Sequence, residues 1–284
     1  MWETLKYDGI IQNFIGYANQ SENIRAAMIV GSRARKETPA DDYSDLDLVI
    51  FAKNPERLLY ETDWLSEIGE YHITFIEDQA NGNGKERRVM FYDALDVDFP
   101  ILPIVDINEM LKDKSTMKII MNGVKILLDK DDILTGIDRL HLEKEPEKTP
   151  ELSETEFDNM MNDFWYHCIW STKKLLRGEY WTAKMCVDRY MKNILLRMIE
   201  VYSAEDGKEI WYNGRFIEHW TKPEIIKLLD DCFAHYNKKD ILHALKGTMN
   251  LFSVISRKNA QKLNYEYPQK AEDFVHDWMK EQVF

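Results

Sequence analysis

The chain has 284 residues, with 50 acidic against 37 basic side chains and a net charge of −13. This length suits one large domain or two modest ones. The acidic balance argues against a dedicated binder of nucleic-acid phosphates, which would present a basic surface. The three cysteines, Cys168, Cys186 and Cys232, are odd in number and far apart, which argues against a disulfide framework and favours a reducing compartment. Because no run approaches the ~20 apolar residues that cross a bilayer, we expect a cytoplasmic protein with no membrane partner.

Strands and helices are mixed in the sequence up to about residue 130. Apolar residues recur at helical spacing over Glu3–Asn19, and Asn54-Pro55 is typical of a helix start. The short links between Tyr71 and Ile101 favour antiparallel pairing. Apolar runs predict strands at Ala26–Val30, Leu46–Phe51, Tyr71–Ile76, Arg88–Tyr92, Leu95–Ile101 and Val124–Leu128.

The remainder of the sequence favours helices alone. A capping box at Ser153–Glu156 predicts a helix that ends near Gly178, and a second box at Thr221–Glu224 predicts one that runs to about His235. Further helical patterns cover Thr182–Val201, Asp240–Lys262 and Ala271–Lys280. The polar stretch Glu143–Pro150 is the natural linker. The sequence therefore predicts an α+β domain over residues 1–142 and an all-helical domain over residues 151–284.

The feature that indicates chemistry is Gly31-Ser32, followed twelve residues later by Asp45-Leu46-Asp47. A glycine at the end of a strand lets backbone N–H groups approach a phosphate, and the serine hydroxyl adds a donor. Asp45 and Asp47 are two positions apart, so on a strand both project from one face. Adjacent carboxylates are stable beside a cation, and Mg²⁺ prefers such oxygen ligands. A solvated acidic strand edge is the plainer alternative.

Such a site needs a third carboxylate, either to complete the metal ligands or to take a proton from an attacking hydroxyl. The predicted strand Leu95–Ile101 carries two candidates, Asp96 and Asp98. Both project from the face opposite the apolar residues, so alternation alone does not choose between them.

These residues resemble the nucleotidyltransferase superfamily, and more closely the aminoglycoside 6-adenylyltransferases (streptomycin adenylyltransferases). The matches extend over nearly the whole chain, including its helical part. The matching residues are Gly31-Ser32-Arg33, Pro39, Asp41, Tyr43, Asp45-x-Asp47, Trp64 with Gly69, Leu127-Leu128-Asp129-Lys130-Asp131, Asn162-Asp163-Phe164-Trp165, Asp188, Leu195-Leu196-Arg197-Met198-Ile199 and Leu263-x-Tyr265-x-Tyr267-Pro268.

The resemblance implies a nucleotidyltransferase-fold mixed sheet, ATP with Mg²⁺, and transfer of AMP to a hydroxyl of an aminoglycoside such as streptomycin, which confers antibiotic resistance. It implies that Asp98 is the third carboxylate beside Asp45 and Asp47, and the base that takes the hydroxyl proton. We expect Gly31 and Ser32 to hold phosphates and Arg33 to neutralise charge there, although an arginine in a polar loop is as often solvated.

A cationic acceptor requires carboxylates to receive it. Asp163 and Asp188 are the candidates, since each lies in a helical pattern and in a family match. The alternative for both is a local pair, for Asp188 with Lys184 one turn earlier. Nearby aromatic residues are expected in the core rather than on a sugar-stacking surface; these are Trp165, Tyr166, Trp170 and Trp181.

Other functions fit the same motif. A nucleotidyltransferase could act on a lincosamide or on a protein, and a domain without turnover could serve as an antitoxin or regulator. A degenerate domain usually lacks a metal ligand, whereas Asp45, Asp47 and Asp98 are all present. We therefore expect an enzyme with a nucleoside triphosphate and a cationic small molecule as partners, and no nucleic acid, working as a monomer or homodimer.

Overall fold

The computed structural model describes residues 4–35, 40–79, 84–104, 112–137, 152–204 and 210–283. The chain forms two compact units, Met1–Lys144 and Glu145–Phe284. Pro39 and the linker predicted at Glu143–Pro150 lie outside the described residues.

Unit 1 is built on a six-stranded mixed sheet in the order β3-β4-β5-β2-β1-β6. Neighbouring strands are antiparallel except β2 and β5, which are parallel. All six predicted strands are present, and the antiparallel pairing of β3, β4 and β5 is confirmed. Their bounds are β1 Ile24–Val30, β2 Leu46–Ala52, β3 Tyr71–Asp78, β4 Lys85–Phe91, β5 Leu95–Pro103 and β6 Lys125–Asp129.

Helices accompany this sheet, and the two faces of the central strands pack in separate clusters. Leu48 of β2 and Val97 of β5 belong to the cluster that includes residues of α1 to α3. Val49 of β2 packs in a smaller cluster with Ile120 of α4. Because side chains alternate along a strand, Asp47 and Asp98 project on the side opposite Leu48 and Val97. The helices are α1 Thr4–Gln20, α2 Pro55–Tyr60, α3 Asp63–Ile68 and α4 Lys114–Asn122.

Among the described residues of unit 2, helices joined by loops are the only regular secondary structure, which confirms the predicted α+β class with an all-helical second part. The predicted capping box is present: Ser153 Oγ accepts from Glu156 N, and the Glu156 carboxylate accepts from Ser153 N. The helices are α5 Glu154–Leu176, α6 Tyr180–Met185, α7 Met191–Ser203, α8 Ile217–Trp220, α9 Pro223–Leu229, α10 Lys238–Leu263 and α11 Gln269–Gln282.

One helix prediction in unit 2 is wrong in detail. The second capping box does not form: the buried Thr221 hydroxyl lies 2.8 Å from Ser203 Oγ, and Lys222 is the N-cap of α9. That helix ends at Leu229 rather than near His235.

The helix predicted over Thr182–Val201 is present. The chain is continuously helical from Tyr180 to Ser203, with a π-helical turn, Cys186–Tyr190, between α6 and α7.

The predicted core role of the aromatic residues holds for Trp165, which is 1% exposed, but is wrong for two of its neighbours. Tyr166 is 63% exposed and Trp181 is 69% exposed. Within the ranges that the structure describes, no helix is long and apolar enough to cross a bilayer.

Candidate active site

The predicted carboxylates Asp45, Asp47 and Asp98 lie together where the start of β2 pairs with β5. The parallel register of β2 and β5 pairs Asp47 with Asp98, and Asp45 immediately precedes β2 rather than lying within it. Each residue offers one oxygen such that the three atoms lie within 4.8 Å of one another. Asp96 is not part of this set, and its backbone N–H donates to the hydroxyl of Tyr7 in α1.

Gly31 brings the end of β1 against this cluster. It opens a 3₁₀ turn, Gly31–Arg33, with φ +66°. A Cβ at this position would stand 2.1 Å from Asp47 Oδ2, far inside van der Waals contact. The next residue, Ser32, has a buried Oγ without a hydrogen-bond partner among the described residues. Only glycine therefore permits this close approach of backbone and carboxylate.

Arg33 supports the loop that carries Asp45. Its guanidinium donates to the carbonyl of Ser44 at 2.6 Å and to that of Asp45 at 3.0 Å. It also lies 3.6 Å from the centre of the Tyr7 ring. These contacts fix the loop relative to α1, while the predicted contact of Arg33 with phosphate stays a prediction.

The carboxylates resist ionising together. Burial, followed by the charges of Asp45 and Asp98, raises the pKa of Asp47 to about 7. Burial also raises the pKa of Asp98, while Arg88 acts in the opposite direction. Charged carboxylates at this separation repel one another and favour a cation or a bound proton.

The sequence analysis did not identify two residues beside this cluster, Arg88 and Glu86 of β4. The Arg88 guanidinium pairs with Asp98 Oδ2 and also lies 3.1 Å from Glu77 Oε1 and 3.5 Å from Glu86 Oε1. Burial, followed by the charge of Asp98, raises the pKa of Glu86 to about 7. The signal that could reveal these residues is strand register, because Arg88 stands directly opposite Asp98 in the β4–β5 pair.

A divalent cation fits this donor set. Every candidate ligand is a carboxylate oxygen, the class that Mg²⁺ prefers. Asp98 Oδ1 is buried and lacks a hydrogen-bond partner among the described residues, whereas Oδ2 is occupied by Arg88. An unsatisfied buried carboxylate oxygen is costly without a compensating charge, so a cation would relieve both this cost and the repulsion.

The predicted acceptor residue Asp163 lies on α5 and helps to line a groove of about 750 Å³ formed by α5 and α11. The hydroxyl of Tyr190 donates to Asp163 Oδ2 at 2.8 Å, and His167 Nδ1 lies 2.7 Å from Asp163 Oδ1. Five of the twelve residues that line the groove are aromatic, among them Trp170 of α5 and Trp278 of α11, and the lining also includes Lys173. Asp163 is thus an oriented and partly exposed carboxylate.

The other acceptor candidate, Asp188, lies in the π-helical turn and does not line this groove. It pairs with Lys184, the local partner that the sequence offered as an alternative. Its second oxygen, Oδ1, is buried without a hydrogen-bond partner among the described residues.

The sequence matches a known protein family over nearly its whole length. A sequence model of the streptomycin adenylyltransferase family matches residues 6–282. The chain belongs to this family. An aminoglycoside 6-adenylyltransferase from Campylobacter jejuni is 26% identical over 89% of this chain and 88% of its own length. One from Staphylococcus aureus is 25% identical over 92% of this chain and 94% of its own.

Family membership makes the protein a nucleotidyltransferase enzyme of the adenylyl-transferring type. Among solved structures, an aminoglycoside 6-adenyltransferase from Bacillus subtilis is similar, with a TM-score of 0.42 and 20% identity. The comparison covers 96% of this chain and 95% of that one.

Replacing Gly31 with alanine should sharply reduce activity. The new Cβ must displace the Asp47 carboxylate, and misplacement by about 1 Å can cost roughly 10²-fold in rate. Gly178→Ala is the matched control, since Gly178 also has a positive φ of +80° but open space around it. Both variants should lose about 1 kcal/mol of stability from the left-handed backbone, measured by urea unfolding. Equal activity of the two variants would contradict the close approach described here.

The stability of the metal-free protein should fall as the pH rises through about 7. Burial raises the pKa of Asp47 from 3.8 to about 7, so the folded chain keeps a proton that the unfolded chain has lost. The contribution of this retained proton to the free energy of unfolding is fully present below pH 3.8 and is lost above about pH 7. Because Mg²⁺ requires the ionised carboxylate, its stabilising effect should grow over the same range.

Thermal unfolding with chelator and with Mg²⁺, at a series of pH values, measures this dependence. Asp47→Asn should weaken it, and so should Glu86→Gln, because the pKa of Glu86 is also raised to about 7. Lys85→Met, on the same strand but paired with the exposed Asp78, is the control. An unchanged pH dependence in both site variants would show that other groups are responsible.

Proposed function

We propose that the protein transfers AMP from Mg²⁺-ATP to a hydroxyl of an aminoglycoside such as streptomycin. The observation that carries this proposal is the family match over residues 6–282 together with the clustering of Asp45, Asp47 and Asp98. Residues 1–142 serve as the catalytic domain and residues 151–284 as the domain that binds the acceptor.

Asp45, Asp47 and Asp98 are the residues that would hold Mg²⁺. When bound, the ion neutralises the carboxylates and stabilises the negative charge that develops on phosphate oxygens. A phosphate contact beside this ligand set is supported by the close approach of Gly31 to Asp47 and by the Ser32 hydroxyl, which has no hydrogen-bond partner in the part of the chain that the structure describes. Arg33 lies next to both and adds positive charge.

Asp98 acts on the acceptor. Its unpartnered oxygen accepts the proton of the acceptor hydroxyl as the hydroxyl oxygen attacks the α-phosphorus. A new P–O bond forms to the acceptor, the bond to the β-phosphate oxygen breaks, and pyrophosphate leaves. The raised pKa of Asp98 suits it to take up this proton.

The acceptor is bound by its positive charge. Asp163 supports this assignment, because its carboxylate is partly exposed beside an aromatic groove that offers surfaces for sugar rings. Asp188 is proposed as a second acceptor carboxylate, since its Oδ1 has no hydrogen-bond partner among the described residues. Transfer of AMP adds a negatively charged phosphodiester to a polycation, which weakens its attraction to anionic targets and so confers resistance.

An acceptor screen tests the proposed function. The protein is incubated with ATP and Mg²⁺ and with single aminoglycosides, lincosamides or no acceptor, and pyrophosphate release is measured. Release with streptomycin but not with lincosamides is the expected result. No release above the acceptor-free rate with any aminoglycoside would overturn the proposal.

Asp98→Asn should abolish turnover while the protein remains folded, because an amide neither takes the proton nor carries the ligand charge. We expect a loss of roughly 10²–10⁴-fold. The matched control is Asp96→Asn on the same strand, which should remain active. The two variants are compared by pyrophosphate release and thermal unfolding, and the reverse pattern would assign the base to Asp96.

Asp163→Asn should raise the KM for the aminoglycoside by roughly 10-fold, since a charged hydrogen bond contributes about 1.5–3 kcal/mol. The kcat should change little. Asp158→Asn, an exposed position earlier on α5, controls for the general loss of negative charge. Steady-state kinetics measure both constants. Identical KM values for the two variants would show that Asp163 does not bind the acceptor.

A further inference from the structure

Arg88 is tied to the carboxylate cluster by strand register. It stands directly opposite Asp98 in the antiparallel β4–β5 pair. Residues directly opposite in such a pair have neighbouring side chains on the same face of the sheet. The Arg88 guanidinium uses this position to pair with Asp98 Oδ2.

The pairing makes the two oxygens of Asp98 unequal. Oδ2 is occupied by Arg88, and Oδ1 is buried without a hydrogen-bond partner among the described residues. The Asp98 side chain is only 5% exposed, so water does not readily compensate. Asp98 therefore presents one fixed, unsatisfied oxygen for a metal ion or for the proton of the acceptor.

Two further carboxylates lie beside Arg88. Its Nε lies 3.1 Å from Glu77 Oε1 on β3 and 3.5 Å from Glu86 Oε1 on β4, but this nitrogen has no hydrogen-bond partner among the described residues, so both contacts are ionic only. The planar guanidinium presents donors in a rigid fork, so one arginine can bridge several carboxylates where a lysine acts as a point charge. Arg88 thus lies among carboxylates from three neighbouring strands, and its Nη2 donates a hydrogen bond to Asp98.

We propose that Arg88 is a positioning residue that fixes Asp98 with one oxygen directed to the chemistry and the other held by the guanidinium. The proposal rests on the proposed function. It adds a residue outside the motifs that indicated the site. Groups that orient metal ligands typically affect metal affinity or activity by roughly 10–100-fold.

A positioning role and a purely electrostatic role predict opposite results for Arg88→Met. Removing a positive charge beside a cation site strengthens the attraction for the cation. If Arg88 positions Asp98, the variant binds the cation more weakly in spite of this gain. The test is a titration of the full chain with Mn²⁺, without nucleotide or acceptor. The electron paramagnetic resonance signal of the free ion reports how much Mn²⁺ is bound.

We expect Arg88→Met to bind Mn²⁺ roughly 10-fold more weakly, with a similar loss in kcat and an unchanged KM for the acceptor. Arg88→Lys keeps the positive charge but loses the planar guanidinium, so it should show a smaller loss in both Mn²⁺ affinity and kcat. Lys85→Met, on the same strand and paired with the exposed Asp78, also removes one positive charge and should retain wild-type values. Tighter Mn²⁺ binding by Arg88→Met with wild-type binding by Arg88→Lys would overturn the proposal, and so would unchanged binding in both.

Two further measurements keep the proposal testable if Arg88→Met does not fold. Arg88→Lys alone should still bind Mn²⁺ more weakly than the wild type, and wild-type affinity of that variant would count against the proposal. In Arg88→Ala, low concentrations of guanidinium ion should restore part of the pyrophosphate release, whereas potassium ion should not. If the wild-type protein modifies no aminoglycoside, the proposed function fails, yet the Mn²⁺ comparison still decides the role of Arg88.

Discussion

The parallel pairing of β2 with β5 is the constraint on which the site depends. Its register sets Asp47 beside Asp98, and Asp45 joins them from the residue before β2. Three carboxylates so close are unfavourable without positive charge. The surroundings reduce this cost in two ways: Asp47 keeps a proton up to about pH 7, and Arg88 occupies one oxygen of Asp98. The repulsion that remains is the driving force for cation binding.

The two units contribute different chemistry. In unit 1, Asp47 and Asp98 lie on paired strands and Asp45 lies next to one of them, and the strand backbone restrains their positions, which suits a reaction that depends on alignment. In unit 2, Asp163 lies on a helix and is oriented by Tyr190 and His167 beside an aromatic groove. Under the proposed function, this carboxylate and the adjacent rings would receive an acceptor that combines positive charge with sugar rings.

Local pattern predicts much of this fold, because the strands and long helices of the chain carry regular apolar spacing. The capping box at Ser153 is predictable, since all its contacts lie within four residues. Thr221 does not form a cap, because its hydroxyl is hydrogen-bonded to Ser203 on another helix. Alternation cannot separate Asp98 from Asp96; the resemblance favours Asp98, and the β2–β5 register places it beside Asp47. The role of Arg88 is not predictable from local sequence, because its ion-pair partners Asp98 and Glu77 lie on other strands.

The parallel β2–β5 pair has a further consequence for how the protein folds. Parallel neighbours cannot be joined by a tight turn, so the chain between them must complete a long excursion through α2, α3 and the β3–β4 hairpin before Asp98 meets Asp47. Contacts between distant parts of a sequence form slowly. A partly folded or newly synthesised chain therefore lacks the complete carboxylate set, and a cation that binds this set stabilises the finished sheet over every intermediate.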